Sequence, residues 1–371
     1  MPRKAMRQIP VISVSGSPYE VGWKHGQQAK EAIRRNCDFY LGAWNFFSGV
    51  ERKQVLEAAQ KFIPFMESLS PELVQELKGV AEGSGVQFEE IVALNSRWEL
   101  NYAYMFGAPA NAVAEGCTAF ALMPEATQNK HVLVGQNWDY KPGLEDSCII
   151  LRIKQEKKPE IVMHTEAGII GHKGFNSAGI GLCLNFIRCE KDQFRPGLPV
   201  WIKARGILNS NSLVDALKVL TSFDGPNSAN MVIAHRDEEA VNAECMPDDT
   251  LFLFPDDGVL THSNHFLSPN FRVKDLGKCL VPDSLIRSHR AWRLLHSKKG
   301  KLNVSSIRKV MSDHFGRPAS ICRHRDESVH SYEQWETLTS MIIDLTEGKM
   351  FYTSGPPCSN PYAAIAINKK R

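Results

Sequence analysis

The sequence of 371 residues lacks the patterns of several common protein classes. It has no run of about 18 apolar residues, so we expect no membrane span. The net charge is only +3 and no basic run is interleaved with aromatic residues, which disfavours nucleic-acid binding. The basic N-terminus has no apolar core of about 7–15 residues and therefore does not match a secretory signal.

Paired cysteine motifs are missing as well. The nine cysteines are scattered along the chain, and none forms a CxxC pair. An odd, scattered set without a secretory signal is typical of free thiols in a reducing compartment. The C-terminal Asn-Lys-Lys-Arg differs from a peroxisomal SKL-type address. We therefore expect a cytoplasmic protein, while the sequence indicates no particular oligomeric state.

Motifs for phosphate, serine-hydrolase and metal sites are also absent. The glycine-rich segment 171–181 matches neither GxGxxG nor GxxxxGK[ST], and the chain has no serine-centred nucleophile elbow. His262 and His265 are three residues apart, but no nearby acidic or cysteine ligand completes a zinc set. We therefore expect no metal and no resident cofactor.

The chain changes its structural pattern at Gly116. Before this residue the sequence is mainly helical: Ser70-Pro71 is a favourable helix start, and Leu73, Leu77 and Val80 then fall on one helix face. Little in the first 100 residues resembles a strand. After Gly116, short β-branched or apolar runs are separated by turn residues and interrupted by pairs of helices. Such blocks predict an α+β fold with antiparallel sheets and helices on their outer faces.

The triplet Gly116-Cys117-Thr118 lies at this change of pattern. A cysteine here is either a buried strand residue or a nucleophile, and a nucleophilic thiol needs a base. The base is either a histidine or the α-amine of the cysteine itself, whose pKa of about 7.7–8.0 suits neutral pH. That amine exists only if the chain is cut before Cys117. Gly116 would permit the distorted backbone that such a cut requires.

Five further segments occur in a fixed order around the triplet. They read GSPYEVGWKHG (16–26), GQNWDY (135–140), TEAGIIGHKGFNSAGIGLCLN (165–185), THSNHF (261–266) and SICRH (320–324). Together with Gly116-Cys117, they resemble the acyl-coenzyme A:6-aminopenicillanic acid acyltransferase family. This family is also called peptidase C45 and is a branch of the N-terminal nucleophile hydrolases. The similarity runs from about Gly16 to about Gly355.

This resemblance implies a four-layer αββα sandwich and self-cleavage between Gly116 and Cys117. Residues 1–116 would form a mainly helical α chain and residues 117–371 a β chain, intertwined in one domain. Cys117 would be the nucleophile, and Asp139 would orient its freed α-amine. Asn264 would help to form the oxyanion hole. Arg323 would lower the pKa of the thiol and hold nearby carboxylates, although a structural salt bridge is an equal alternative.

The resemblance also bears on the substrate. Four residues in or near these motifs are expected to contact it: Tyr140, Glu166, Phe175 and Ser228. The penicillin-forming members carry a Ser-Arg pair where this chain has Glu333-Gln334. Because that arginine is associated with the penicillin nucleus, its loss disfavours a β-lactam substrate.

We therefore expect a small-molecule amide or acyl donor as partner, besides the two chains produced by cleavage. The expected reaction is hydrolysis of N-acyl amino acids or amines through an acyl-thioester on Cys117. Acyl-CoA-dependent N-acyl transfer, with acyl-CoA as co-substrate, is the alternative because it shares that intermediate. An uncut small-molecule binding or interaction module and a Cys–His hydrolase without processing also remain open.

Overall fold

The computed structural model describes residues 8–105, 116–222 and 225–367. The polar run before the predicted cleavage site, residues 106–115, lies outside the described residues. The strands are β1 (Val11–Gly16), β2 (Gly116–Leu122), β3 (Leu133–Tyr140), β4 (Cys148–Gln155), β5 (Ile161–Glu166), β6 (Lys173–Asn176), β7 (Ile180–Asn185), β8 (Ala229–His235), β9 (Glu239–Met246), β10 (Asp249–Leu253), β11 (Val259–His262), β12 (Glu336–Asp344), β13 (Lys349–Tyr352) and β14 (Ala363–Ala366).

Helices fill the first third of the chain and recur in two later groups. They are α1 (Pro18–Gln28), α2 (Lys30–Ser48), α3 (Arg52–Gln60), α4 (Ile63–Leu69), α5 (Pro71–Ser84), α6 (Phe88–Asn95), α7 (Arg97–Tyr104), α8 (Val200–Leu208), α9 (Leu213–Ser222), α10 (Gly277–Leu280), α11 (Asp283–His296) and α12 (Val304–Met311). Within the described ranges, no helix is both long enough and apolar enough to cross a membrane.

Two sheets lie face to face in the centre of the protein. One has eight strands in the order β1-β4-β5-β6-β7-β8-β9-β10, and the other has six in the order β11-β2-β3-β12-β13-β14. Neighbouring strands are antiparallel except β1 and β4. The sheets pack closely, since a methyl group placed at Gly181 of β7 would lie 2.7 Å from Val134 of β3.

Helices cover both outer faces. Helix α8 packs on β6 and β7 of the larger sheet, and the N-terminal helices extend this layer through contacts of α4 and α7 with α8. On the other side, α11 packs on β2 and β11, and α12 packs on β12 of the smaller sheet. The predicted α+β fold with four αββα layers is therefore confirmed.

The first helix and α5 approach each other unusually closely, which explains the glycines of the segment 16–26. A methyl group at Gly22 would lie 1.9 Å from the carbonyl oxygen of Glu76, and one at Gly79 would lie 2.2 Å from that of Tyr19. Only glycine permits this backbone contact. It holds α1 directly against α5.

Strand β1 was not expected from the sequence. In VISVSG only Ile12 and Val14 are buried, with solvent-exposed residues between them. Two inward side chains on a short edge strand give a weak alternating pattern. The strand pairs in parallel with β4, so residues before and after Gly116 share one sheet.

Candidate active site

Strand alternation places the Cys117 thiol between the two sheets. Cys117 and Ala119 of β2 belong to the core between the sheets, whereas Phe120 and Leu122 belong to the core beneath α11 and α12. Successive side chains of a strand point to opposite faces. The side chain of Cys117 is fully buried, and the position of Gly116 faces the α11 side.

The backbone of Cys117 is held from both sides. In β3, Trp138 is its pairing partner, and Asp139 is the partner of Gly116. On the other edge, the Cys117 N–H donates to Oδ1 of Asn264 at 2.8 Å. The carbonyl oxygen of Cys117 accepts from Oγ of Ser263 at 3.0 Å. The nitrogen that would become an α-amine therefore already has a fixed acceptor.

The buried side chain of Arg287 in α11 binds several groups at this edge of β2. Its Nη1 donates to the Cys117 carbonyl oxygen at 2.5 Å, and its Nη2 donates to Oδ1 of Asn264 at 2.8 Å. Its Nε donates to Oδ2 of Asp283 at 2.7 Å. Sequence reasoning missed this residue, because Asp283 and Arg287 four residues apart on a helix match an ordinary surface ion pair.

Asp139 lies on the α11 side of the smaller sheet. Its Oδ1 accepts from Oγ1 of Thr337 at 2.6 Å, and its Oδ2 accepts from Nε of Arg323 at 3.3 Å. Arg323 also pairs through Nη2 with Asp283. Burial raises the pKa of Asp139 to about 6, while the guanidinium groups of Arg323 and Arg287 oppose this rise. The charge of Asp139 near neutral pH therefore depends on its arginine neighbours.

The close approach of Asp139 and Arg323 explains why residue 116 is a glycine. A methyl group at Gly116 would lie 3.0 Å from Oδ2 of Asp139 and 2.9 Å from Nε of Arg323. Any side chain here would have to displace this ion pair. The structure thus places Gly116, Cys117, Asp139 and Arg323 at one point, and their catalytic roles remain predictions.

Asn264 also lies beside Cys117, but its orientation differs from the expected one. Its Oδ1 faces the Cys117 nitrogen, and its Nδ2 donates to the carbonyl oxygen of Phe186 at 2.9 Å. A role as oxyanion donor would have to use the second hydrogen on Nδ2. That role stays a prediction.

On the inner face, a cationic and aromatic group surrounds Trp138, the pairing partner of Cys117. Nζ of Lys173 lies 3.6 Å from the centroid of the Trp138 ring and 3.1 Å from Nδ1 of His172. Burial and the neighbouring Lys173 lower the pKa of His172 well below its usual value. His172 is therefore neutral near pH 7, and its Nδ1 accepts from the Lys173 ammonium. The face toward which the Cys117 thiol points thus carries a buried positive charge.

Tyr140 and Glu166, two predicted substrate contacts, meet in one buried network. Glu166 pairs with Nη2 of Arg97 and accepts from the hydroxyl of Tyr40 at 2.8 Å. The hydroxyl of Tyr140 lies 3.4 Å from Nη1 of Arg97. The ring of Tyr140 stacks on Trp138 with 5.3 Å between centroids, so this network borders the cationic and aromatic group.

Ser228 and Phe175 lie against other partners. Oγ of Ser228 is 3.5 Å from Sγ of Cys189, and its backbone N–H donates to Asp192 at 2.6 Å. Phe175 pairs with Gly181 in the packed core between the sheets. Their substrate roles stay predictions, and the contacts of these two residues favour a structural function.

His262 and His265 are directed at different partners. Nε2 of His262 lies 2.8 Å from Oε1 of Glu244, and its Nδ1 lies 2.9 Å from the carbonyl oxygen of Ser263. Nδ1 of His265 lies 2.7 Å from Oγ of Ser284. These contacts occupy both ring nitrogens of His262, so the geometry does not favour it as a base for Cys117.

The comparisons with known proteins agree with the order of motifs. The model of the acyl-coenzyme A:6-aminopenicillanic acid acyl-transferase family matches residues 126–358. The 40 kDa form of the acyl-coenzyme A:6-aminopenicillanic-acid-acyltransferase of Emericella nidulans is 29% identical over 354 residues, which cover 94% of this chain and 93% of that protein. An uncharacterised protein of Archaeoglobus fulgidus is 22% identical over 235 residues, covering 57% of this chain and 38% of its own.

Solved structures with some likeness include a hydrolase and an acylase. A variant of the conjugated bile acid hydrolase from Clostridium perfringens has a TM-score of 0.48 and 15% identity, covering 68% of this chain and 98% of that chain. Penicillin V acylase from Agrobacterium tumefaciens has a TM-score of 0.44 and 13% identity, covering 68% of this chain and 86% of that chain. Since the family model matches more than half of the sequence, this chain belongs to the acyl-coenzyme A:6-aminopenicillanic acid acyl-transferase family.

Proposed function

We propose that this protein is a self-processing cysteine enzyme that hydrolyses linear amide bonds in N-acyl amino acids or N-acyl amines. The observation that carries the proposal is the setting of the Gly116–Cys117 bond. The thiol lies on one face of β2, the Cys117 nitrogen contacts Asn264, and Gly116 packs against Asp139. Membership of a family named for acyl transfer to 6-aminopenicillanic acid supports the same chemistry.

Maturation begins with attack of the Cys117 thiol on the carbonyl carbon of Gly116. The C–N bond breaks, a thioester joins Gly116 to Sγ, and the proton from the thiol passes to the released nitrogen. Water then hydrolyses the thioester and regenerates the thiol. Oδ1 of Asn264 lies 2.8 Å from this nitrogen in the uncut chain and can accept from the new amine as well.

Cleavage also changes the surroundings of Asp139. Gly116 occupies the space beside the Asp139 carboxylate, with its methyl position 3.0 Å from Oδ2. When the end at Gly116 moves away, the carboxylate faces the α-amine of Cys117. A charged acceptor at this place orients the amine and stabilises its protonated form.

Each turnover uses the same two groups of Cys117. The α-amine takes the thiol proton, and the thiolate attacks the acyl carbon of the substrate. Collapse of the tetrahedral intermediate releases the amine product, which receives that proton, and leaves an acyl-thioester. Water then attacks the thioester, giving a carboxylic acid and the free thiol. Arg287 and Arg323 supply fixed positive charge near the reacting atoms.

The charge of the inner face supports a substrate that carries a carboxylate. Lys173 lies over Trp138, which pairs with Cys117, and its ammonium is buried. A substrate carboxylate would make a charge-assisted contact with this ammonium, in addition to the contact that Lys173 makes with His172. We therefore place N-acyl amino acids ahead of neutral N-acyl amines.

Acyl transfer is the second candidate, because the thioester can react with an amine in place of water. The relative from Emericella nidulans, named as an acyltransferase, favours this alternative. Both reactions require Cys117 and differ only in the acceptor. Acyl-CoA would then be a co-substrate and not a resident cofactor.

A substrate panel separates these reactions. Purified protein is given N-acyl amino acids, N-acyl amines, or acyl-CoA with amine acceptors, and the free amine, the free acid and the new amide are quantified. We expect amine release from N-acyl amino acids by wild-type protein and by Cys279→Ser, which changes an exposed cysteine. Cys117→Ala should be inactive. Amide formation that depends on acyl-CoA would instead establish the transferase, and equal activity of Cys117→Ala would overturn both.

A further inference from the structure

Four histidine and cysteine side chains, both residue types that ligate metals, converge outside the candidate active site. His314, Cys322, His324 and Cys358 each direct one ligand atom to a common point, and these atoms all lie within 4.8 Å of one another. Three of them belong to the loop after α12, and Cys358 belongs to the segment after β13. We call this group the Cys2His2 cluster.

The distances within the cluster match those around a tetrahedral ion. Nε2 of His324 lies 3.1 Å from Nε2 of His314, 3.7 Å from Sγ of Cys322 and 3.5 Å from Sγ of Cys358. Zinc bonds of about 2.0–2.1 Å to nitrogen and about 2.3 Å to sulfur place tetrahedral ligands about 3.3–3.8 Å apart. Three ligand pairs are thus close to their metal-bound separation.

Hydrogen bonds alone do not account for this convergence. Nε2 of a neutral histidine carries either one hydrogen or one lone pair. Nε2 of His324 nevertheless has three polar neighbours at close range. A single cation at the centre would satisfy all four ligand atoms together.

We propose that the Cys2His2 cluster binds one structural zinc ion. Two thiolates and two neutral imidazoles form a soft donor set that suits zinc and not magnesium or calcium. The two thiols release their protons to solvent on binding, and the four donors complete the tetrahedral shell. A site filled by four protein ligands has no open position for a substrate.

The surrounding backbone already holds the ligands in place. The N–H of Cys322 donates to the carbonyl oxygen of Asp313 at 3.0 Å, and the N–H of His324 donates to that of Pro318 at 3.1 Å. The carboxylate of Asp313 pairs with Arg290 of α11 at 2.5 and 2.6 Å. The loop is therefore anchored to the helix that also carries Arg287.

The ion would also fix a residue of the candidate active site. Arg323 lies between the ligands Cys322 and His324, and its side chain contacts Asp139. Its backbone N–H donates at 2.9 Å to Oγ1 of Thr337, which in turn donates to Asp139. Zinc would thus act through Arg323 as a positioning element. The metal site itself is independent of the proposed function, and only this link rests on it.

The sequence did not reveal this site. His314 and Cys322 are eight residues apart, and Cys358 follows His324 only after a further 33 intervening residues. The usual zinc signatures contain a short CxxC or HxxxH pair, so the expectation of no metal followed from their absence. The fold brings the ligands together through the pairing of β12 with β13.

Metal analysis of the full-length protein tests the proposal. Wild-type protein is purified under reducing conditions without chelator, and zinc is measured by inductively coupled plasma mass spectrometry. We expect about one zinc per chain in wild type and background levels in Cys358→Ser and His314→Asn, which change exposed ligands. Cys279→Ser and His330→Asn, at exposed positions away from the cluster, serve as matched controls and should retain the ion.

A second readout depends neither on enzyme activity nor on the amount of metal that stays bound during purification. Cobalt(II) added to the zinc-free protein should give the visible and thiolate charge-transfer bands of a tetrahedral site, and Cys358→Ser should show neither. Zinc-free reduced wild type that binds neither zinc nor cobalt would overturn the proposal. Retention of zinc by the Cys358→Ser/His314→Asn double variant would also overturn the proposal. So would a disulfide between Cys322 and Cys358, which the intact mass would report as a loss of two hydrogens.

The proposed effect of zinc on the position of Arg323 is tested by a separate measurement of kcat. Chelation of the mature wild-type protein should lower kcat, and added zinc should restore it, whereas Cys358→Ser should respond to neither treatment. Unchanged kcat after complete zinc removal would show that the ion does not position Arg323.

Discussion

Gly116 lies directly opposite Asp139 in the antiparallel pair β2–β3, so near that a methyl group at residue 116 would be 3.0 Å from the carboxylate. This contact places the residue before the proposed cleavage site directly beside the carboxylate that is proposed to orient the new α-amine. The glycine gives the carboxylate its space before cleavage, and its departure opens that space to the amine of Cys117.

Gly116→Ala should slow maturation about 10- to 100-fold, equivalent to about 1.4–2.7 kcal/mol in the barrier. The added methyl group must displace Asp139 or Arg323 from its position. The rate is measured as the decay of the intact chain on denaturing gels after synthesis in a cell-free system. Gly225→Ala is the control, because a methyl group there meets its nearest neighbour at 3.5 Å. Equal maturation rates for the two variants would contradict the role of the close contact.

Asp139 should produce an acidic limb below about pH 6 in the pH profile of kcat/KM. Burial raises its pKa to about 6 in the uncut chain, and the ammonium that cleavage places beside it should lower this value. The protonated carboxyl no longer holds the ammonium form of the α-amine. Activity should fall below this pKa. Asp139→Asn should be about 100-fold less active than wild type, and its pH profile should lack the acidic limb. A limb that persists in Asp139→Asn would assign it to another group.

The same pKa predicts a slope in stability. Because the folded pKa of Asp139 lies above the unfolded value of about 3.9, the folded state binds more protons between pH 4 and pH 6. The contribution of Asp139 to the free energy of unfolding should therefore decrease as pH rises through this window. Urea unfolding at several pH values should show this decrease in Cys117→Ala but not in Cys117→Ala/Asp139→Asn.

Arg287→Met should impair both maturation and stability. The variant loses the hydrogen bonds to the Cys117 carbonyl oxygen and to Asn264, and it leaves Asp283 with one fewer cation. Breaking a buried pair costs about 3–5 kcal/mol, which urea unfolding would report. Arg293→Met, at an exposed position of the same helix, is the matched control. A stability loss of similar size in both variants would contradict the specific role of Arg287.

Lys173→Met should change substrate preference. If the Lys173 ammonium meets the substrate carboxylate, KM for N-acyl amino acids should rise about tenfold or more, while KM for the matching neutral N-acyl amines should change little. The ratio of the two values is an internal control for misfolding. Lys154→Met, at an exposed position of β4, should leave the ratio unchanged. A parallel rise for both substrate classes would remove Lys173 from carboxylate recognition.

Sequence patterns identified the features that arise from neighbouring residues. The change from helical to strand periodicity at Gly116 and the block order of strands predict antiparallel sheets with helices on their outer faces, because burial of one face imposes those periods. The four-layer arrangement was implied by the family resemblance. The order of the motifs brought Cys117, Asp139, Asn264 and Arg323 into one hypothesis, and the structure places them together. Their roles are still predictions.

The features that sequence reasoning missed depend on contacts between distant parts of the chain. Arg287 acts on Cys117 across 170 residues, and its spacing from Asp283 is that of a surface pair. The side chains of Cys358 and His324 meet although 33 residues lie between them. Strand β1 has only Ile12 and Val14 to mark its buried face. In each case tertiary packing, and not local pattern, determines the environment.

The most direct test of the account is the intact mass of freshly purified wild-type protein under denaturing conditions. The account predicts two fragments whose masses sum to the full chain plus one water, with the larger fragment beginning at Cys117. Cys117→Ala should remain one chain, and Cys279→Ser should be cut like wild type. A wild-type protein that stays whole on prolonged incubation while hydrolysing N-acyl amino acids would contradict the account, as would a cut at any other bond.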